Sequence, residues 1–406
     1  MLAQLSQDDD IRLVAVRGGI GAVPGVRCAG VHAGIKPRKR DLALVVFDEP
    51  QVCASVITIN EIKAAPVVVS EEHLALDGLM RAIVCNSGCA NACTGERGDR
   101  DARATARQTG ALLKTPATSV IVASTGVIGV PLPMDRVQRG VERAIEQLDS
   151  GVKSSQDAAE AIMTTDRVPK LAAYEFYIGQ RKYAVGGMAK GSGMIAPNMA
   201  TMLAFVATNL PMPADALKHE LREATDETFN MISVDGCMST NDACYAFAPA
   251  GEKLPPAAFT KALRQVCMDL AMAMVADGEG ATKTLTVHVT GAKDLVQART
   301  IGRAVINSNL VRTALYGEDP NWGRVIAAAG SVNAGLDPDT WSLLLNGKTW
   351  VEIGAIEALS EAEAHRELEL TDIVVELRLG IGEARATAWG CDLSKDYVRI
   401  NASYRT

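Results

Sequence analysis

Gly186-Gly187-Met188-Ala189-Lys190-Gly191-Ser192-Gly193-Met194-Ile195-Ala196-Pro197-Asn198-Met199-Ala200-Thr201, running into Met202-Leu203-Ala204-Phe205-Val206, is the stretch on which the reading of this chain turns. Its first sixteen residues hold four glycines and a proline. Such a composition predicts irregular backbone, because glycine is entropically costly in an element and proline lacks a donor. The apolar run at 202–206 fits a buried strand. A threonine hydroxyl is a poor nucleophile at neutral pH, and cutting the peptide bond before it frees an α-amine that can serve as base. Ahead of Thr201, Ala200 offers little steric block, and Gly191 and Gly193 allow unusual dihedrals. Composition alone leaves a phosphate-binding loop and a functionless turn open as well. The P-loop pattern is not met, since Lys190 precedes Gly191 and no Lys-Ser or Lys-Thr pair follows at the required spacing. The Ala-Thr pair itself says little, as it recurs at 104–105, 117–118 and four further places.

Outward from this segment, both halves of the chain alternate strand and helix patterns, which predicts sheets covered by helices. Short β-branched or apolar runs predict strands at 42–47, 52–57, 66–69, 82–85 and 119–123, the fourth ending in an Asn86-Ser87-Gly88 turn. Helices are expected at 99–113, 134–147, 214–229 and 257–275, and one or two at 292–315. Hairpins are expected around Gly179-Gln180, around Asn346-Gly347 and around 380–382. The natural division falls at the glycine-rich approach to Thr201, giving 1–200 and 201–406, and the length suggests two or three lobes.

With 48% hydrophobic and 22% charged residues the chain reads as a globular protein. A net charge of −7 argues against a nucleic-acid surface. The basic run Lys36-Pro37-Arg38-Lys39-Arg40 reads as solvated surface. No stretch approaches the ~20 apolar residues of a membrane span, and Asp8-Asp9-Asp10 is unlike a secretory leader, so a cytoplasmic protein is expected. Nine cysteines show no disulfide framework. Cys85, Cys89 and Cys93 share a four-residue spacing, but no histidine lies near them in sequence, so they read as buried free thiols and no metal site is expected.

The fourteen residues from Lys190 to Leu203 closely resemble the cleavage segment of the ornithine acetyltransferase (glutamate N-acetyltransferase) family of arginine biosynthesis. The likeness extends to Asn86-Ser87-Gly88 with Ala90-Asn91-Ala92-Cys93-Thr94-Gly95, Ser124-Thr125-Gly126-Val127-Ile128-Gly129, Ala161-Ile162-Met163-Thr164-Thr165-Asp166, and Ser233-Val234-Asp235-Gly236 with Ser239-Thr240-Asn241-Asp242. It continues through Gly278-Glu279-Gly280-Ala281-Thr282-Lys283, Gly317-Glu318-Asp319-Pro320-Asn321-Trp322-Gly323-Arg324 and the closing residues 397–406. Cys89 departs from the asparagine found in many members.

This resemblance implies a layered α/β sandwich like that of N-terminal-nucleophile hydrolases, with a distinct topology. It implies self-cleavage between Ala200 and Thr201 into α and β chains that stay together as a heterotetramer. It implies ping-pong acetyl transfer from N-acetylornithine to glutamate with Thr201 as nucleophile, Thr125 and Gly126 as the oxyanion hole, and no cofactor. Substrate contacts would come from Thr164, Lys190, Thr201, Glu279, Asn401 and Thr406. Lys190 suits a carboxylate and Glu279 the ornithine ammonium, whereas Thr164 and Thr165 are chemically indistinguishable and only family spacing favours the former. Whether acetyl-coenzyme A is a second donor is left open by the residues. Two alternatives differ in class: an amidase using Thr201 with water as acceptor, and an uncut amino-acid-binding protein without catalysis.

Overall fold

The computed structural model describes residues 11–76, 78–196, 202–354 and 356–403. Its first sheet carries β1 (Val14–Ala15), β2 (Val26–Val31), β3 (Leu42–Ile57), β4 (Leu79–Cys89), β5 (Val120–Val127), β6 (Lys170–Ile178), β7 (Arg181–Lys190), β8 (Leu203–Thr208) and β9 (Ala243–Pro249). Helices α1 (Ala65–Leu76), α2 (Gly95–Leu113), α3 (Met134–Glu146), α4 (Val152–Ile162), α5 (Ala214–Glu227) and α6 (Ala257–Ala276) surround it. The strand order is β1-β6-β7-β8-β9-β3-β4-β5, with β2 paired to β3.

This one sheet makes two layers. Along the first half of β3, Ala43, Val45 and Phe47 pack with Phe205, Tyr245 and Phe247 of β8 and β9, although β9 is hydrogen-bonded only to the second half of β3, residues 51–57. The Phe47 and Phe247 ring centroids are 4.8 Å apart. The β3–β4 register slips between Val46 and Gln51, and such a bulge bends a strand and raises its twist. The sheet thus closes face to face on itself. Leu42, Leu44 and Val46 point the opposite way, under α2 and α3. On the far side, α5 and α6 cover Ala204, Val206, Cys244 and Ala246. Helices, sheet, sheet and helices are the expected layered α/β sandwich.

A second sheet follows in the chain: β10 (Thr284–Ala292), β11 (Ser342–Leu345), β12 (Lys348–Glu352), β13 (Ile356–Glu357), β14 (Asp372–Arg378) and β15 (Ala384–Cys391), in the order β13-β12-β11-β14-β10-β15. Helices α7 (Leu295–Asn307), α8 (Asn309–Tyr316), α9 (Trp322–Gly330) and α10 (Glu361–Leu368) accompany it, and α7 packs Ala298, Ile301 and Val305 on Leu285, Val287 and Val289. The chain then returns to the first sheet as α11 (Lys395–Ser403).

Several sequence expectations are corrected. The runs at 42–47 and 52–57 are one strand. Residues 66–69 are helical, not extended: Pro66, Val69, Ser70 and His73 bury one face of α1 at helical spacing. The Asn86-Ser87-Gly88 turn lies inside β4. Residues 186–190 are regular strand, because β7 needs glycine for close backbone approach; a Cβ on Gly186 would lie 2.1 Å from the Gly19 carbonyl oxygen. The strands at 374–379 and 384–389 do not pair as a hairpin, since β10 lies between them, parallel to β14 and antiparallel to β15. Around Asn346-Gly347 the hairpin forms as expected, with φ of 49° and 81° at the two turn residues. β7 and β8, on either side of residue 200, pair within one sheet.

Candidate active site

A cavity of about 150 Å³ opens where the two layers of the first sheet meet the loops after α4 and α6 and the helix α11. It gathers Thr125, Gly126, Thr164, Lys190, Glu279 and Asn401, which lie far apart in the chain. Ala200, Thr201 and Thr406 are outside the described residues. The flanks of the first two are Ala196 and Met202, both buried.

Each wall has a local cause. Thr125 and Gly126 end β5, and Gly126 has φ 129°. A Cβ there would come 2.5 Å from the Gly88 carbonyl carbon of β4, so this approach of β5 to β4 requires glycine. Lys190 ends β7 and is 2% exposed. Burial raises the carboxyl of Asp166, yet Lys190 and Lys170 outweigh it and bring it down to about 2. Asp166 accepts from the Gly191 N–H at 2.7 Å and the Thr164 N–H at 3.0 Å, so one carboxylate braces two walls. Lys170 bridges Asp166 and Asp277 at 2.7 Å each, extending the brace to the segment that leads into Glu279.

Glu279, 8% exposed, donates its N–H to the Ser192 carbonyl at 2.7 Å and accepts from Asn401 Nδ2 at 2.7 Å. A Cβ on Gly193 would lie 2.5 Å from the Glu279 carboxylate, which explains that glycine. The two adjacent threonines differ here. Thr165 Oγ1 is bonded to Ser192 Oγ at 2.8 Å, while no hydrogen bond among the described residues engages the Thr164 hydroxyl.

Sequence reasoning gives no role to Asp235, Asn241, Asp242 or Tyr397. Asp235 accepts from the Met194 and Ile195 N–H groups at 2.6 and 2.9 Å and from Tyr397 Oη at 3.1 Å. It thereby ties the segment ahead of residue 197 to α11. Burial pushes its carboxyl upward. The sequence does hold a signal, since both acidic residues stand in motifs of Gly, Ser, Thr and Asn that suit neither strand nor helix interior.

The cysteines are not a ligand set. Cys85 and Cys89 lie in β4, where a register shift at Gly88 and Cys89 sends them to different cores, and Cys93 is exposed rather than buried. Burial raises the Cys85 thiol to about 12. Asn86 Nδ2 donates to the Cys89 carbonyl at 2.9 Å. Glu318, His365 and Glu369 come within 4.8 Å of one another on the surface, but Lys283 Nζ already holds Glu318 at 2.8 Å, and none of the three lines the cavity. Lys36 of the basic run is not free surface, as its Nζ donates to the Met163 carbonyl at 2.9 Å and burial lowers it to about 8. No helix of the described residues is long and apolar enough to cross a membrane.

Comparison with known proteins agrees with the motif reading. The ArgJ family model matches residues 27–406. The arginine biosynthesis bifunctional protein ArgJ of Symbiobacterium thermophilum is 48% identical over 400 residues, covering 96% of this chain and 99% of the relative. Its counterpart from Geobacillus kaustophilus is 43% identical over 97% of this chain and 98% of its own. Among solved structures, a chain of ornithine acetyltransferase from Mycobacterium tuberculosis, complexed with ornithine, is 44% identical over 46% of this chain and 98% of its own, with a TM-score of 0.43. On the strength of the family match and of full-length identities above 40%, the chain belongs to the ArgJ family.

Proposed function

We propose that this protein transfers acetyl from N-acetyl-L-ornithine to L-glutamate in arginine biosynthesis, through an acetyl ester on Thr201 formed after self-cleavage between Ala200 and Thr201. The observation that carries the reading is the cavity's pairing of a buried lysine, Lys190, with a buried glutamate, Glu279, beside Thr125 and Gly126 of β5. Such a pocket suits a small zwitterion with a charged side chain. The full-length relatives are named for arginine biosynthesis, which supports the pathway.

In the first half-reaction the Thr201 hydroxyl attacks the acetyl carbonyl and its proton passes to the freed α-amine. Thr125 Oγ1 and the Gly126 N–H stabilise the oxyanion. Collapse of the intermediate breaks the amide bond, and the same proton leaves on ornithine. Glutamate's amine then attacks the ester by the reverse sequence. Thr164, Lys190, Glu279, Asn401 and Thr406 hold the amino acids. No cofactor is required, and acetyl-coenzyme A is proposed as an additional donor because the relatives are named bifunctional. The two chains stay assembled, as a heterotetramer, in the cytoplasm.

The test is direct. Mature protein should give two bands of roughly 21 kDa, each about half of the 42.9 kDa chain, and the second should begin Thr-Met-Leu-Ala-Phe. Thr201→Ala should stay full length and inactive. N-acetylornithine without glutamate should add ~42 Da to the peptide beginning at Thr201, and glutamate should remove it. Intersecting steady-state plots without a trapped acetyl would replace this mechanism by direct transfer, and loss of the acetyl to water as fast as to glutamate would mark an amidase.

A further inference from the structure

The nucleophile and the oxyanion donors come from different layers of the folded-over sheet, so something must set the distance between them. Along the ladder, β8, which follows Thr201, is four places from β5, which carries Thr125 and Gly126. Ladder hydrogen bonds cannot align them directly, and packed layers are held apart by side chains at ~10 Å.

We propose that Asn241 and Asp242 are positioning residues that lock the peptide following Thr201 onto the end of β5 that carries the oxyanion donors. The two residues stand immediately before β9, the strand parallel to β8. Asp242 Oδ1 accepts the Met202 N–H at 2.9 Å, and that N–H belongs to the peptide bond joining Thr201 to Met202. Its Oδ2 accepts the Ser239 N–H at 3.2 Å. Asn241 Nδ2 reaches into the other layer, donating to the Ser124 carbonyl of β5 at 2.9 Å and to the Ala90 carbonyl just beyond β4 at 2.7 Å. Thr240 Oγ1 donates to Asn241 Oδ1 at 2.6 Å, which fixes the amide's orientation. Asn241 and Asp242 are 5% and 1% exposed, and the Asn241 amide sits at the cavity wall.

The chemistry of the two side chains fits this task. Two carbonyl acceptors demand the two N–H bonds that only an amide supplies at this length, and aspartate there would face both carbonyls with lone pairs. Two backbone donors on opposite oxygens demand a carboxyl, and asparagine would turn one acceptor into a donor opposite an N–H. Burial pushes the Asp242 carboxyl well up, against the Met202 and Ser239 N–H groups and the Lys190 charge, which favour its ionised form.

The inference rests on Thr201 being the nucleophile, and its test separates the two. Asn241→Ala, Thr240→Val and Asp242→Asn are compared with the parent protein for self-cleavage rate, single-turnover acetylation, kcat, KM and thermal unfolding. Displacing reacting groups by about 1 Å costs on the order of 10²-fold in rate. Asn241→Ala and Asp242→Asn should therefore lose on the order of 10²-fold in cleavage and in acetylation, with KM for both amino acids nearly unchanged. Thr240→Val, which frees the amide without removing it, should lose less. If Asn241→Ala does not fold, the milder Thr240→Val carries the test by the same kcat-against-KM split. Variants that unfold at lower temperature yet cleave and acetylate at the parent rate would overturn the positioning role while leaving Thr201 in place. A parent protein that never acquires an acetyl group at residue 201 would overturn both.

Discussion

At the scale of single residues, the site is organised by opposite charges held out of water. Lys190 and Glu279 are buried on neighbouring walls, and each has a reason to be fixed: Lys190 faces the Asp166 carboxylate, Glu279 receives Asn401. A hydrogen bond to a charged group is worth about 1.5–3 kcal/mol. Glu279→Ala should therefore raise KM for N-acetylornithine on the order of tenfold or more, and KM for glutamate much less, in steady-state acetyl-transfer assays. Equal losses for both would place Glu279 outside the ammonium's reach. Asp166 gives a pH prediction. Its carboxyl is lower in the folded protein than in the unfolded chain, so its contribution to stability is full above pH 4 and lost as pH falls toward about 2. The stability gap between the parent protein and Asp166→Asn, measured by denaturant unfolding at several pH values, should narrow over that window. A gap that widens on acidification would contradict the Lys170 and Lys190 pairing.

Elements show where local pattern stops being sufficient. The glycines at 186 and 187 predict irregular backbone, yet they are strand because Gly19 and the helix α6 press against β7. Gly186→Ala would put a methyl 2.1 Å from a backbone carbonyl oxygen. Overpacking of this kind costs about 1–3 kcal/mol, so the midpoint of denaturant unfolding should drop while the m-value holds. Residues 66–69 are β-branched in composition and helical in fact, since only a helix lets Ser70 Oγ donate to the Val122 carbonyl, at 2.8 Å, and His73 Nδ1 engage that of Val120, at 2.8 Å. The pairing of β14 and β15 with β10 could not be read from their alternation, because a period-two pattern names a buried face and not a neighbour.

For the whole molecule, the decisive feature is that the first sheet straddles residue 200. β7 pairs with β8 over six residue pairs from Val185–Thr208 to Lys190–Leu203, and β3 pairs with β9 over seven, from Gln51–Pro249 to Ile57–Ala243. Cutting the chain between them removes no ladder bond and leaves two hydrophobic clusters that each draw on both halves of the chain. Cleaved protein should consequently elute with both chains together under native conditions and separate only in denaturant. Native elution of either chain alone would refute that. The second sheet contributes to the site through its connections rather than its strands, for the chain leaves it at Cys391 and places α11, with Tyr397 and Asn401, over the cavity.

The family, the alternation of strands and helices, and the candidates Thr125, Thr164, Lys190, Glu279 and Asn401 of the cavity wall are legible in the chain's own letters, because local composition and contiguous motifs carry them, whereas Asp235, Asn241 and Tyr397 of the same wall are not singled out by them. Three-dimensional packing was needed to establish that both halves of the chain share one sheet, that this sheet bends at the β3 bulge into two layers, and that Asn241 bonds across them. It also separates Thr165, whose hydroxyl is taken by Ser192, from Thr164 beside it. The physical reason is common to all four: each depends on which distant backbone atoms or side chains a residue meets, and no periodicity or propensity within a segment records the partner on the other side of the fold.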